Sequence, residues 1–125
     1  MALGFERTRS AAGPLVQRLT TDGFSVDGQS HRGVLLTPQR AVAWDPPALD
    51  EIDPGQLEPV LGLMPPPEFL ILGTGAAMRF PPRRLVEALE ARGIGVEAMD
   101  SRAAARTWGL LRGEDRWIAA ALMPL

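Results

Sequence analysis

Two short segments of the chain carry the residues best suited to hold a small polar ligand. The first consists of Gly73, Thr74 and Gly75, which directly follow an apolar run. Glycine turns at strand ends often bind phosphate groups through their backbone N–H groups. The same residues also suit a plain turn, because glycine adopts positive φ and a threonine hydroxyl bonds to nearby backbone. The sequence leaves both interpretations open.

The second segment contains Asp100, Ser101, Arg106 and Thr107. An Asp carboxylate accepts hydrogen bonds, and an Arg guanidinium binds carboxylates or phosphates through two parallel N–H groups. These side chains therefore suit a small polar or anionic ligand. Their alternative role is structural, since Asp and Ser are both favoured at helix N-caps. Asp100 and Arg106 are about one and a half helical turns apart, so their spacing alone does not bring them into contact.

The residue types that are missing narrow the chemistry further. The chain contains no Cys, Lys, Tyr or Asn, and all 13 basic residues are Arg. A thiolate nucleophile, a Schiff-base lysine, a tyrosine acid and a Walker A lysine are all excluded. The single histidine, His31, has no acidic partner that the sequence identifies. We therefore predict no catalytic residue, no metal site and no cofactor, and we expect a protein that is not an enzyme.

Length and composition indicate one globular domain. Of the 125 residues, 46% are hydrophobic and 22% are charged. The formal net charge of -2 gives no electrostatic reason to bind nucleic acid, which is a polyanion. The longest apolar run is far shorter than the roughly 20 residues of a membrane-spanning helix. We predict a flexible tail over residues 1–13, a single domain over residues 14–125 and a cytoplasmic location.

Period-two patterns in the first half of the chain predict antiparallel strands. Apolar and polar residues alternate through the segments VQRL, FSV, SHRGVLL and AVAW. Asp-Gly pairs at positions 22–23 and 27–28 are typical of tight hairpins, whose turns need positive φ. These segments predict a small N-terminal β-meander. Seven prolines between residues 45 and 67 predict a long irregular connection after it.

The second half alternates between strand and helix patterns. Strands are predicted in EFLILGTG, IGVEAM and RWIAAALM, and helices in PPRRLVEALEARG and DSRAAARTWGLLRGED. This β-α-β-α-β order predicts parallel strands with right-handed crossovers and a sheet covered on both faces. Ligands of such sheets bind beyond the carboxyl ends of the strands, which is where both candidate segments would lie. The fold class predicted from these patterns is α/β.

Several linked motifs resemble one widespread family. They are PEFLILGTG, FPP, GVEAMDSRAAARTWGLL and WIAAALMP, preceded by GFSVDG and HRGVLL. The family is a domain-of-unknown-function family that includes mitochondrial complex I (NADH dehydrogenase) assembly factor 3 and small bacterial and archaeal single-domain proteins. The resemblance implies a three-layer fold, with a mixed central sheet between helices plus a small β layer, and no established enzymatic activity. Trp108 and Gly109 depart from the family, which usually has Tyr and Asn there.

Two hypotheses about function follow. The first is a non-enzymatic protein-interaction domain, an assembly or biogenesis factor for a larger respiratory or membrane-associated complex. It rests on the resemblance and on the missing catalytic groups, and it implies a protein partner. The alternative is a small-molecule or anion-binding protein, or an enzyme, that uses the crevice between the two segments. The residues of that crevice are Gly73, Thr74, Gly75, Asp100, Ser101, Arg106 and Thr107.

Overall fold

The structure of the protein, a computed structural model, describes residues 13–125. Residues 1–12 lie outside the described part, and so does almost all of the tail predicted over residues 1–13. The described chain contains two β-sheets, three α-helices and two 3₁₀ turns. That residues 14–125 form a single domain stays a prediction.

The smaller sheet is the N-terminal meander. Its strands β1 (Val16–Thr20), β2 (Gly23–Val26) and β3 (Gln29–His31) pair antiparallel in chain order. The turn between β2 and β3 places Asp27 at φ 51° and Gly28 at φ 81°. This is the pair of positive φ angles that an Asp-Gly hairpin predicts.

Five further strands form the larger sheet: β4 (Val34–Leu36), β5 (Ala41–Ala43), β6 (Phe69–Gly73), β7 (Gly95–Met99) and β8 (Ala119–Leu122). They lie in the order β5-β4-β8-β6-β7. β4 is antiparallel to β5 and β8, whereas β6 is parallel to β8 and β7. The sheet is therefore mixed, and β7 is one of its two edge strands.

The structure corrects the predicted extent of the meander. The segment SHRGVLL was expected to form one meander strand, but β3 ends at His31 and β4 begins at Val34, in a different sheet. Between them the Gly33 carbonyl accepts a hydrogen bond from the Trp44 N–H at 3.1 Å. Alternation of apolar and polar residues identifies a strand but not the sheet that it joins.

The proline-rich connection contains short helical segments. Two 3₁₀ turns, Leu49–Glu51 and Pro54–Leu57, are followed by the short helix α1 (Glu58–Leu61). Asp53 caps the second turn, because its carboxylate accepts the Gly55 N–H at 3.0 Å. The connection thus packs as ordered structure along one face of the large sheet. Its buried residues are Leu49, Ile52, Leu57, Val60, Leu61 and Leu63.

Helix α2 (Arg83–Glu90) forms where the pattern predicts it and turns Leu85 and Leu89 into the core. The Ile94 N–H donates to the Leu89 carbonyl at 3.0 Å, and Gly93 has φ 80°. These features are those of a Schellman motif. The local residues therefore determine where this helix ends.

The large sheet separates two apolar clusters. On one face, Leu70 and Leu72 of β6 pack with α2 and with the segments of the proline-rich connection. On the other face, Ile71 packs with Phe24 of the meander and with Trp108 of α3 (Ser101–Gly113). Helices thus cover both faces and the meander adds a layer beside α3. The predicted three-layer α/β fold class is confirmed.

Candidate functional site

The two candidate segments lie side by side at the carboxyl ends of β6 and β7, as a parallel strand order requires. The Thr74 N–H donates to the Met99 carbonyl at 2.8 Å. The Ser101 N–H donates to the Gly75 carbonyl, also at 2.8 Å. We call this contact the β6–β7 junction, formed by Gly73, Thr74, Gly75, Asp100 and Ser101.

Ser101 bonds to the loops that follow two other strands. Its hydroxyl donates to the Met123 carbonyl at 2.8 Å and accepts the Gly75 N–H at 2.8 Å. The residue has no exposed surface. Because the Gly75 N–H is already bonded within the protein, it is not available to a phosphate oxygen in this arrangement. Ser101 therefore holds the chain ends of β6, β7 and β8 together.

Thr74 bonds within its own loop. Its hydroxyl donates to the Ala77 carbonyl at 2.7 Å and accepts the Arg79 N–H at 2.9 Å. The side chain is also buried. This is the local bonding expected of a threonine in a plain turn. It orders the loop that leads from β6 to α2.

Gly73 of β6 lies directly against the first turn of α3. A Cβ atom at this position would lie 2.8 Å from the Ser101 Oγ and 3.1 Å from the Ala104 Cβ. Only a residue without a side chain fits at this distance. Ser101 and Ala104 therefore pack directly against Gly73. A ligand role for the junction stays a prediction, and the packing does not favour it.

Asp100 is the N-cap of α3. Its carboxylate accepts the Ala103 N–H at 2.9 Å, and its backbone is extended. Arg106 and Thr107 lie farther along the helix, and Arg106 is exposed beside Val16 and Leu19 of the meander. Within the described residues, no ion pair joins Asp100 to Arg106. The structure thus brings five of the seven predicted residues together and leaves two apart.

An open cavity of about 710 Å³ lies beside the end of β3 and the start of β4, next to the chain that follows β8. His31 and Arg32 line one part of it, and Trp44, Asp45 and Pro124 line another. Among residues 13–125, no group of three or more His, Asp or Glu side chains is placed to hold a metal ion. The cavity is therefore an open cleft of mixed polar and apolar lining, without a metal-binding cluster among the described residues.

An ion pair lies near the amino ends of β6 and β8, at the opposite end of these two strands from the β6–β7 junction. The Arg116 guanidinium donates to the Glu68 carboxylate at 2.8 Å and lies 5.9 Å from the centre of the Phe69 ring. Hydrogen bonding by Arg116 holds the pKa of Glu68 below its usual value, and the pKa of Arg116 is correspondingly raised. The Glu68 N–H also donates to the Trp117 carbonyl at 2.8 Å. The pair therefore joins the segments that enter β6 and β8.

Phe80, the most exposed large apolar side chain of the described residues, lies beside the edge strand β7. Phe80 is 85% exposed and Met78 is 43% exposed, in the loop between β6 and α2. They border a cavity of about 450 Å³, which we call the β7 groove. It is lined by Met78, Phe80, Pro81, Arg83, Val86, Val96 and Ala98.

Sequence reasoning missed the β7 groove. The available signal was the pair of large apolar residues Met78 and Phe80 in a short loop between glycines and prolines. Side chains in such loops are usually exposed because the loop runs over the surface. The sequence did not identify β7 as an edge strand, which depends on the strand order.

Comparison with known proteins places the chain in a family. Residues 16–123 match the family model described as "Protein of unknown function (DUF498/DUF598)". The chain belongs to this family. The resemblance found in the sequence motifs is therefore confirmed.

Relatives extend the match over most of the chain. A Danio rerio protein named NADH dehydrogenase [ubiquinone] 1 alpha subcomplex assembly factor 3 is 32% identical over 116 residues, which cover 92% of this chain and 67% of the relative. An uncharacterised Rhodobacter capsulatus protein is 32% identical over 103 residues, covering 82% of this chain and 77% of the relative. The crystal structure of a Bordetella parapertussis protein has a TM-score of 0.80 at 32% identity, covering 91% of this chain and 98% of that one.

None of the helices in the described part of the chain has both the length and the apolar character needed to cross a membrane. The cytoplasmic location stays a prediction.

Proposed function

We propose that the protein is a non-enzymatic interaction domain that acts in the assembly of a larger protein complex. The β7 groove carries this proposal, because it combines the exposed side chains of Phe80 and Met78 with an adjacent apolar cavity. Contiguous exposed apolar surface marks interaction sites, and buried aromatic anchors supply much of the binding energy at protein interfaces. Phe80 is the natural anchor of such an interface.

The name of the Danio rerio relative supports the assembly role. That relative is named an assembly factor of an NADH dehydrogenase. We extend the role to this chain, with a respiratory-complex subunit or a second assembly factor as the partner. Interactions of this kind need an exposed binding surface rather than a catalytic centre.

The chemistry of the β6–β7 junction agrees with this role. The Thr74 and Ser101 hydroxyls both donate to backbone carbonyls. Within the described residues, neither hydroxyl is hydrogen-bonded to His31 or to a carboxylate. A serine or threonine nucleophile needs such a base within hydrogen-bond reach. We therefore assign the junction to the fold and the groove to function.

Site-specific photocrosslinking in cells tests the proposal. A photoreactive phenylalanine analogue replaces Phe80, and a matched control carries the same analogue at Arg102, an exposed position on the opposite face of the sheet. We expect one dominant protein crosslinked from position 80, identified by mass spectrometry as a respiratory subunit or assembly factor. It should be absent from the control. Identical products from both positions, or none from position 80, would overturn the proposal.

A further inference from the structure

The outer edge of β7 has backbone groups without partners in the described chain. Among residues 13–125, β7 pairs only with β6. The Met99 carbonyl accepts the Thr74 N–H, so the backbone groups of Met99 point towards β6. Because successive residues of a strand point their N–H and C=O groups to opposite sides, those of Val96 and Ala98 point outwards. Two donors and two acceptors are thus available along this edge.

The same two residues also form part of the β7 groove. Val96 and Ala98 line the groove together with Val86 of α2 and with Met78 and Phe80. An extended segment lying along β7 could therefore bond to its backbone and place every second side chain in the groove. Strand addition of this kind takes affinity from the backbone and specificity from alternate side chains.

We propose that β7 binds an extended segment of the partner protein as a sixth strand of the large sheet. This inference rests on the proposed function and names the form of the partner's binding segment. The segment alternates apolar side chains, which occupy the β7 groove, with side chains on the opposite face of the sheet.

The charge of β7 indicates which side chain of the partner segment lies on the face opposite the groove. Glu97 is exposed on the face opposite the groove, at the centre of the strand. A residue directly across from it lies close enough for an opposite charge to attract and a like charge to repel. The partner segment therefore carries Lys or Arg at this position.

The same charge disfavours a second copy of this chain as the occupant. Two β7 strands from two copies of the chain could pair antiparallel. All the outward N–H and C=O groups of Val96 and Ala98 are then used only if Val96 of each copy pairs with Ala98 of the other. That register places the two Glu97 side chains directly opposite each other, and like charges in that position are destabilising. A basic and apolar segment of another protein has no such conflict.

Synthetic peptides test the inference on the intact protein. The probe is Thr-Val-Lys-Val-Lys-Val-Thr with blocked ends, and its comparison peptide has Glu in place of both Lys. We expect the Lys peptide to slow hydrogen exchange of the Val96 and Ala98 amides, by about tenfold when about 90% of the protein is bound, because exchange proceeds from the free fraction. The Glu peptide should bind about two- to fivefold more weakly.

A charge reversal supplies the matched variants. In Glu97→Lys the preference should invert, so that the Glu peptide binds more tightly. Glu114→Lys makes the same change at an exposed position after α3 and should leave the preference unaltered. Equal affinities of the two peptides for the wild-type protein, or no inversion in Glu97→Lys, would overturn the charge assignment and with it the proposed segment.

Backbone methylation tests the hydrogen bonds without altering the protein. One Lys peptide is N-methylated at its Val residues and another at its Lys residues, so each loses the N–H groups along a single edge. Strand addition predicts that only one pattern abolishes binding. The inference is wrong if both methylated peptides bind, or if the unmodified peptide does not bind at millimolar concentration.

Two further results separate this inference from the proposed function. A crosslinked partner at position 80 together with no peptide binding at β7 leaves the interaction role standing and removes strand addition. Exchange of the Val96 and Ala98 amides that slows as protein concentration rises, without peptide, identifies a second copy as the occupant and also overturns the inference.

Discussion

Ser101 and Gly73 show how single residues hold the carboxyl end of the large sheet together. Ser101 bonds to the loop after β6 and to the chain after β8, and Gly73 leaves the space into which Ser101 fits. The Ser101 hydroxyl is both donor and acceptor, so this buried group has hydrogen-bond partners in both roles. A small residue on each side is what allows α3 to begin so close to β6.

This packing predicts the effect of a single methyl group at Gly73. Gly73→Ala should destabilise the protein by about 1–3 kcal/mol, because the added Cβ meets the Ser101 Oγ at 2.8 Å and the Ser101 Cα at 3.0 Å. Urea denaturation followed by circular dichroism measures the free energy of unfolding. The change creates no new charge or hydrogen-bonding group, so the result reports packing.

Gly109→Ala is the matched control for that substitution. Gly109 lies inside α3, and beyond its own helical turn a Cβ there would meet no atom of the described residues within 4 Å. Alanine should stabilise the helix by about 0.5–1 kcal/mol, since glycine loses more backbone entropy on folding. Destabilisation of similar size at both positions would show that the close approach at Gly73 is not the cause.

At the scale of elements, the ion pair of Glu68 and Arg116 fastens the start of β6 to the start of β8. Both side chains are partly exposed, and their N–O distance is 2.8 Å. Two further hydrogen bonds reinforce the pair: the Glu68 N–H donates to the Trp117 carbonyl, and the Trp117 N–H donates to the Glu68 carboxylate. The amino ends of these parallel strands are thus joined by charge, whereas their carboxyl ends are joined by Ser101.

The lowered pKa of Glu68 makes the contribution of this pair depend on pH. A carboxyl group whose pKa is lower in the folded state stabilises the fold above its unfolded pKa, usually 4.5, and loses this contribution as pH falls through the folded value. Glu68→Gln should therefore lower the melting temperature near neutral pH. The difference from wild type should shrink progressively below pH 4.5.

Melting temperatures between about pH 3 and pH 7 test this dependence. Glu87→Gln is a suitable control, because Glu87 pairs with Arg83 at a longer 3.7 Å on the exposed face of α2. We expect little change in melting temperature for the control. A difference for Glu68→Gln that stays constant across this range would contradict the assignment of the effect to the carboxylate.

At the scale of the whole molecule, Trp108 connects the meander to the rest of the fold. Its side chain is fully buried among residues of the meander, α3 and the large sheet. Its indole N–H donates to the Pro14 carbonyl at 2.9 Å. The indole therefore serves as a central core residue that several elements share.

Trp108→Phe should lower the free energy of unfolding by about 2–4 kcal/mol, because it creates a cavity and leaves a buried carbonyl without its donor. Trp117→Phe is the comparison, since Trp117 also donates to a proline carbonyl, that of Pro65 at 2.6 Å, but is partly exposed. Water can replace that lost bond, so the cost should stay below about 1.5 kcal/mol. Equal costs by urea denaturation would show that burial does not distinguish the two tryptophans.

Much of this molecule was predictable because its signals are local. The end of α2 follows from Gly93 and Ile94, the cap of α3 from Asp100, and the second meander turn from Asp27 and Gly28. Each depends on backbone angles and hydrogen bonds among residues that are near neighbours in the chain. The β-α-β-α-β order and the fold class also follow from local patterns of apolar and polar residues. The family was identified from sequence motifs that the chain shares with it.

Tertiary structure alone decided which surfaces are filled and which are open. The carboxyl ends of β6 and β7 meet as predicted, but Ser101 fills the space between them by bonding to Met123, 22 residues away. The strand order makes β7 an edge and leaves Phe80 exposed beside it. Such features depend on packing between distant parts of the chain, which local patterns do not specify. The sequence thus determined the elements and the candidate segments. Only their packing produced the β7 groove, on which the proposed interaction role rests.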